Sequence, residues 1–282
     1  MTLLLGAVAY DPKVVTIWEG FRGWLREQDL EFDFMLYSNY ERQVEDLVEG
    51  RIDVAWNSPL AWVRARRLAA ARGIELVPVT MRDTDCDLTS VIVTRGDTGL
   101  QAAAELRGRT VATGAVDSPQ ATLIPLQMLR AAGLQPGTDF AVQRFDIGVG
   151  LHGDHIGGER DAARALAAGS VDAACLIDSN LLLFGQEGVL ASDARVIART
   201  GVYDHCTMTG GPSAERAALD RFAELLLGMS YADPQVRVLL DLEGLKQWQP
   251  PRLTGYAQLE QAVDSSGFYD ESGGIGAGDY RP

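Results

Sequence analysis

Apolar and polar positions along this chain alternate between two periods, and each change of period marks an element. Residues 3–9 are apolar or small throughout, as in a strand covered on both faces. Val14, Ile17, Trp18, Phe21 and Leu25 then fall at i, i+3, i+4, i+7 and i+11, which predicts an amphipathic helix. Residues 31–37 alternate as a second strand, and 40–50 predict a helix with Val44, Leu47 and Val48 inward. Ile52, Val54 and Trp56 form a third strand. Ser58-Pro59 opens a helix that Gly73 closes, since serine caps orphan N–H groups and proline tolerates the first turn. Residues 74–79 read as strand again. Strand and helix in alternation predict a parallel α/β lobe.

The pattern restarts at residues 89–95. A strand from Thr110 to Thr113 and a helix from Ser118 follow, then a strand over 140–145 and a glycine-rich loop over 148–158. A helix over 159–168 and an apolar strand over 171–177 close this second unit, and residues 195–199 lead out of it. Helices over 213–231, 236–243 and 256–266 complete the chain. The expected division is residues 1–88 with 204–282 as one discontinuous lobe and 95–195 as the other. Residues 89–94 and 196–203 then form the hinge crossings. Residues 271–282, rich in glycine, read as a flexible tail. Open α/β sheets bind ligands at their strand carboxyl ends, so two facing lobes place those ends around one cleft.

Composition narrows the function classes. The 282 residues suffice for two lobes with their own cores. A net charge of −14 argues against nucleic acid and anionic membrane surfaces, which select clustered Lys and Arg. No segment reads as a membrane span, and the N-terminal apolar run is short and lacks a basic flank. The expectation is therefore a cytoplasmic protein, or a periplasmic or extracellular one if a signal peptide has been removed. Cys86, Cys175 and Cys206 match no zinc spacing and read as idle thiols. No Gly-x-Gly-x-x-Gly follows a strand, so no nucleotide cofactor is expected, and none of another kind.

The stretch from Arg107 to Gly133 carries the sharpest local signal. Its strand runs through a small-residue turn into a helix start at Ser118-Pro119-Gln120, where free N–H groups face whatever lies in front. Pro119 removes one donor, and Gln120 adds an amide that both donates and accepts.

Four segments, at 51–62, 89–93, 117–125 and 157–178, together resemble the phosphonate- and phosphate-binding components of ABC importers, in their order. The resemblance implies a type II periplasmic-binding fold, two-lobed with a central cleft, a small-molecule ligand and membrane subunits of an importer as partners, with no insertion of this chain into the membrane. It puts Asn57, Ser58, Ser118, Gln120, Thr122, Glu159 and Asp178 forward as ligand residues, and Tyr10 joins them because it follows the first strand at its carboxyl end, where cleft residues lie. The family's Ser-Thr-Ser anion cradle reads Ser118-Pro119-Gln120 here, and Glu159 stands where a phosphonate-contacting histidine would be. A carboxylate there repels a phosphonate. Asp178 matches an acidic position that can meet a ligand's amine. The expected ligand is thus a neutral or cationic polar molecule, such as an amino acid or amine.

Two function classes follow. One is a solute binder. The alternative is a biosynthetic enzyme on the same scaffold, with Glu159 as general acid/base and His205 and His155 in reserve. His205-Cys206 also invites a thiolate reading, although sequence neighbours on a strand point apart. The run His152-Gly-Asp154-His155 offers metal-ligand types, but its glycines deny it a rigid scaffold. It reads as a solvated loop, with no metal expected.

Overall fold

The computed structural model describes residues 2–282. Its strands are β1 (Leu3–Val8), β2 (Phe32–Tyr37), β3 (Val54–Asn57), β4 (Val77–Pro78), β5 (Met81–Arg82), β6 (Ser90–Thr94), β7 (Thr110–Thr113), β8 (Ala141–Arg144), β9 (Ala173–Ile177), β10 (Arg195–Arg199), β11 (Thr207–Gly210) and β12 (Trp248–Gln249). Its helices are α1 (Lys13–Glu27), α2 (Tyr40–Val48), α3 (Pro59–Ala71), α4 (Ile124–Ala131), α5 (Gly157–Ala167), α6 (Asp178–Gln186), α7 (Arg216–Leu227), α8 (Pro234–Glu243) and α9 (Ala257–Ser266).

Two five-stranded sheets organise the molecule, in the orders β2-β1-β3-β11-β4 and β10-β6-β9-β7-β8. The first takes its strands from residues 3–78 and 207–210, the second from 90–199. Each sheet is mixed, not parallel as the alternation suggested. In the first, β11 returns antiparallel to both β3 and β4, and in the second, β6 runs antiparallel to β9 and β10. The reason lies in the connections. Strands that enter a lobe by a direct crossing, without a helix between, are free to lie antiparallel. The strand expected over 74–79 shortens to Val77–Pro78, since Pro78 has no N–H to extend a ladder.

The helical spacing of α1 is used as read: Val14, Ile17, Trp18, Phe21 and Leu25 are all buried. They pack with Phe32, Phe222 and Trp248 into the core of the first lobe. The second lobe has a core on each face of its sheet. One lies under α5 and α6, through Leu166, Leu176 and Phe184, and the other under α4, through Leu126, Leu129 and Phe140. A further cluster joins Leu60 and Val63 of α3 to Val116, Leu123 and Ile124 of the second lobe and to Phe268, Tyr269 and Tyr280. It forms an apolar seam between the lobes. At the crossings, Leu88 and Tyr203 exchange backbone hydrogen bonds of 2.8 and 2.9 Å.

Two expectations are corrected. The C-terminal residues do not form a flexible tail: Tyr280 is fully buried, and Arg144 bonds Asp279 at 2.6 Å. Aromatic side chains inserted in the seam hold down a segment whose glycine content alone suggests disorder. The loop over 148–158 is not merely solvated either, because His152 is fully buried.

Candidate functional site

The site grows from strand ends and helix starts that meet between the lobes. On the first lobe, β3 delivers Asn57 and the N-cap of α3, Ser58, whose Oγ accepts the Ala61 N–H at 3.1 Å. On the second, the chain after β7 turns into a single wide π-type helical turn over Pro119–Leu123 before α4. Ser118 Oγ accepts the Ala121 N–H at 3.2 Å, and Thr122 Oγ1 donates to the Ala115 carbonyl at 2.7 Å. Extra helical turns of this kind recur at functional positions.

The glycine-rich loop crosses from the second lobe and fills the space in front of that helix start. Gln120 Nε2 donates to the Gly153 carbonyl at 2.7 Å. The loop runs so close that a Cβ on Gly153 would lie 2.5 Å from Ser118 Oγ. Gly150 and His152 donate their N–H groups to Asp117 Oδ2 at 2.6 and 3.2 Å. His152 adopts a left-handed backbone, φ 51°, which these bonds and its buried side chain hold in place.

His152 is the loop's anchor on the first lobe. Its Nδ1 lies 2.7 Å from Ser58 Oγ, its Nε2 lies 2.9 Å from Glu41 Oε1, and its ring stacks on Tyr40 at 4.8 Å. Tyr269 and Tyr280 hydroxyls donate to the same Glu41 oxygen at 2.6 and 2.7 Å. Burial alone would raise the Glu41 carboxyl; the charge of His152 and these hydrogen bonds outweigh it and hold the carboxyl down at about 2.

Beside this anchor lies a cluster of acidic groups. Asp154 accepts a hydrogen bond from Tyr40, and burial raises its carboxyl against the pull of His205, Arg82 and His152. Glu159 Oε2 accepts the Ile177 N–H and the Asn180 amide, both at 2.9 Å; burial raises its carboxyl too, opposed by those bonds, by Gln120 and by His205. Glu243, at the end of α8, is pushed up to about 7 by burial, with Arg82 opposing. Tyr10 is raised by burial and by Asp154 and Glu243. Arg82 is already committed. Its Nε and Nη2 donate to Asp85 at 2.6 and 2.9 Å, Nη1 donates to the Glu243 carbonyl at 2.9 Å, and its guanidinium lies 5.2 Å from the Trp56 ring. The unpartnered buried atoms of this region include Gln120 Oε1, His205 Nε2 and Asn57 Nδ2, with Glu41 Oε2 and Asp117 Oδ1 of the anchor.

Of the sequence candidates, Ser118, Gln120 and Glu159 are buried on one lobe and Ser58 and His205 on the other, with Tyr10 half-buried; the glycine-rich loop touches Gln120 through Gly153 and Ser58 through His152. Asn57 sits behind them, its Oδ1 accepting from Gln43 at 3.0 Å. Asp178 stands apart. Its side chain is 44% exposed, it pairs with Arg199 at 2.7 Å, and it lines a separate groove of about 760 Å³ with Leu88, Thr89 and Leu182. His155 is exposed and accepts the Gly157 N–H at 3.0 Å. Sequence reading missed Glu41, Tyr40, Arg82, Asp85 and Glu243. Only their burial reveals them, and charged residues on helices and short strands carry no local sign of it.

Two α/β lobes linked by paired crossings, with polar strand ends and helix starts meeting between them, define a type II periplasmic binding protein. Residues 7–256 match the model of the ABC transporter, phosphonate, periplasmic substrate-binding protein family, and the chain belongs to that family. Among solved structures, PhnD1 from Prochlorococcus marinus in complex with methylphosphonate superimposes with a TM-score of 0.70 at 17% identity, covering 94% of this chain and 98% of that one. XAC2383 from Xanthomonas citri, bound to chloride ion, gives 0.71 at 18% identity over 94% and 99%. A putative sulfonate-binding protein, SsuA from Methylobacillus flagellatus, gives 0.60 at 14% identity over 94% and 86%. At these identities the likeness is one of fold.

Proposed function

We propose that this chain is the solute-binding component of an ABC importer and that its solute carries an amine or other cationic centre. The observation behind this reading is the charge of the acidic cluster. Glu159 and Glu243 are buried carboxylates and Asp154 a half-buried one, all raised by desolvation, while the nearby guanidinium of Arg82 is saturated by Asp85 and Glu243. A cation entering here relieves three desolvated carboxylates at once. An oxyanion meets the opposite field, and the Gln120 amide N–H, the donor the helix start offers in place of Pro119, already serves the Gly153 carbonyl.

The relatives with methylphosphonate- and sulfonate-binding titles share the scaffold. In this reading the present chain keeps their two-lobed closure and changes the polarity of the ligand. The solute is delivered to membrane subunits of the importer, and in that role the chain works outside the cytoplasmic membrane. Cell fractionation tests that placement against the cytoplasmic expectation.

Calorimetric titration with methylphosphonate, inorganic phosphate, a short alkanesulfonate, and a panel of amino acids and small amines tests the ligand class. Binding by an amine or zwitterion, with the three anions inert, is expected. Submicromolar binding of methylphosphonate or phosphate overturns the cationic reading and leaves the binding role intact.

A further inference from the structure

We infer that the floor of the first lobe holds a transition-metal site built from Asp85, His205 and Cys206. His205 Nδ1 lies 3.1 Å from Cys206 Sγ and 3.5 Å from Asp85 Oδ1, and the three donor atoms all fall within 4.8 Å of one another. A tetrahedral ion with bonds of about 2.0 Å to N and O and about 2.3 Å to S needs ligand-to-ligand edges of roughly 3.3–3.6 Å. Two of its three edges, 3.1 and 3.5 Å, are therefore close to that geometry before any ion arrives. Thiolate, imidazole and carboxylate together select zinc and cobalt(II) over magnesium or calcium, which take oxygen ligands.

The backbone explains why neighbours in sequence converge here. His205 lies in the return crossing just before β11, and its N–H donates to the Asp85 carbonyl at 2.8 Å, so the two main chains are pinned together. Arg82 has an outer role. It donates to both Asp85 oxygens, at 2.6 Å to Oδ2 and 2.9 Å to Oδ1, fixing the carboxylate's orientation as outer partners of metal ligands do. Nδ1 is the ring nitrogen that faces Cys206 and Asp85, while Nε2, on the other side of the ring, is buried without a partner. When the ion binds, the Sγ–metal bond replaces the Cys206 S–H bond and the thiol proton leaves to solvent, as metal coordination deprotonates a thiol.

The site shares His205 and the Arg82–Asp85 pair with the surroundings of the solute reading and is read out by the metal alone. Chelator-stripped protein is titrated with cobalt(II) and followed by absorbance. One equivalent with a thiolate-to-cobalt charge-transfer band and tetrahedral ligand-field bands is expected. Cys206→Ser should abolish the charge-transfer band, His205→Gln should weaken cobalt binding at least about tenfold, and Cys86→Ser should change neither. Circular dichroism confirms that each variant folds, and the His205→Gln result carries the test if Cys206→Ser does not fold. No thiolate band in the native protein, a band that survives in Cys206→Ser, or unchanged affinity in His205→Gln overturns the site. An amine titration in excess chelator separates this outcome from the solute reading.

Discussion

His152 and Glu41 lie 111 positions apart, yet Nε2 of one is 2.9 Å from Oε1 of the other, and both are buried. The contact ties a loop of the second lobe to the first helix turn of α2. It sits within a set of bonds from Ser58, Tyr269 and Tyr280, so its removal leaves several polar groups facing apolar surroundings. His152→Ala should destabilise the protein by about 3–5 kcal/mol, the range for one partner lost from a buried pair. Chemical denaturation measures it. A loss under about 1 kcal/mol would show that the contact contributes little.

The same carboxyl sets an acid limit to stability. Glu41 titrates near 2 in the folded protein against an ordinary 4.5, so its contribution is complete above about 4.5 and fades as pH falls toward 2. Glu243 has the opposite sign. Raised to about 7, it takes up a proton on folding between 7 and 4.5, so stability rises as pH falls through that window and is lower above it. Melting temperature should therefore peak at mildly acidic pH. Glu243→Gln should flatten the alkaline limb alone, and an unchanged limb would remove Glu243 as its cause.

Gly153 and Gly137 share a φ of +79°, but only Gly153 faces neighbours. A Cβ there meets Ser118 Oγ at 2.5 Å and Gln120 Nε2 at 2.6 Å, whereas Gly137 has open space. Gly137→Ala therefore reports backbone strain, about 1 kcal/mol or somewhat more. Gly153→Ala should cost clearly more and should expand the molecule in small-angle scattering as the loop lifts from the helix start. Equal costs would mean the loop yields freely.

Glu159 offers a test of ligand polarity in the other direction. Glu159→Gln keeps a carbonyl for the Ile177 N–H and the Asn180 amide, so the fold should hold while amine binding weakens. Glu159→His adds a donor and removes a charge, and should raise any residual methylphosphonate affinity by at least about tenfold, or about 1.4 kcal/mol. Titration of both variants with both ligand classes decides it. No change with either ligand would put Glu159 outside the site.

Tyr280 tests the C-terminal seam. Tyr280→Phe keeps the ring and loses the 2.7 Å bond to Glu41, which should cost about 1–3 kcal/mol because the acceptor is a buried carboxylate. Limited proteolysis should then cut the last dozen residues faster. Unchanged cleavage would mean that packing alone retains them.

Much of the scaffold was legible because it rests on local periodicity. Val14 to Leu25 announce α1, and Ser58-Pro59 announces the start of α3. The sense of the strands was not, since β11 returns from a distant crossing and nothing near Thr207 records its partner. The site divides along the same line. Ser118 and Gln120 stand at a helix start that can be read locally, whereas Glu41, Arg82, Asp85 and Glu243 become functional candidates only through burial among groups far away in sequence. His152 misleads most, because glycines on both sides suggest solvent while they in fact permit the close approach that buries it.

The position of Tyr280 also orders the birth of the molecule. Its bond to Glu41 spans 239 positions, and its ring fills a seam shared by both lobes. Contacts of such separation form late, after the loop entropy between them has been overcome by other structure. Synthesis passes through both lobes before it reaches the residues that lock them together, so each lobe assembles its own core first. A nascent chain stalled before Tyr280 would hold two formed halves with their seam still unsealed.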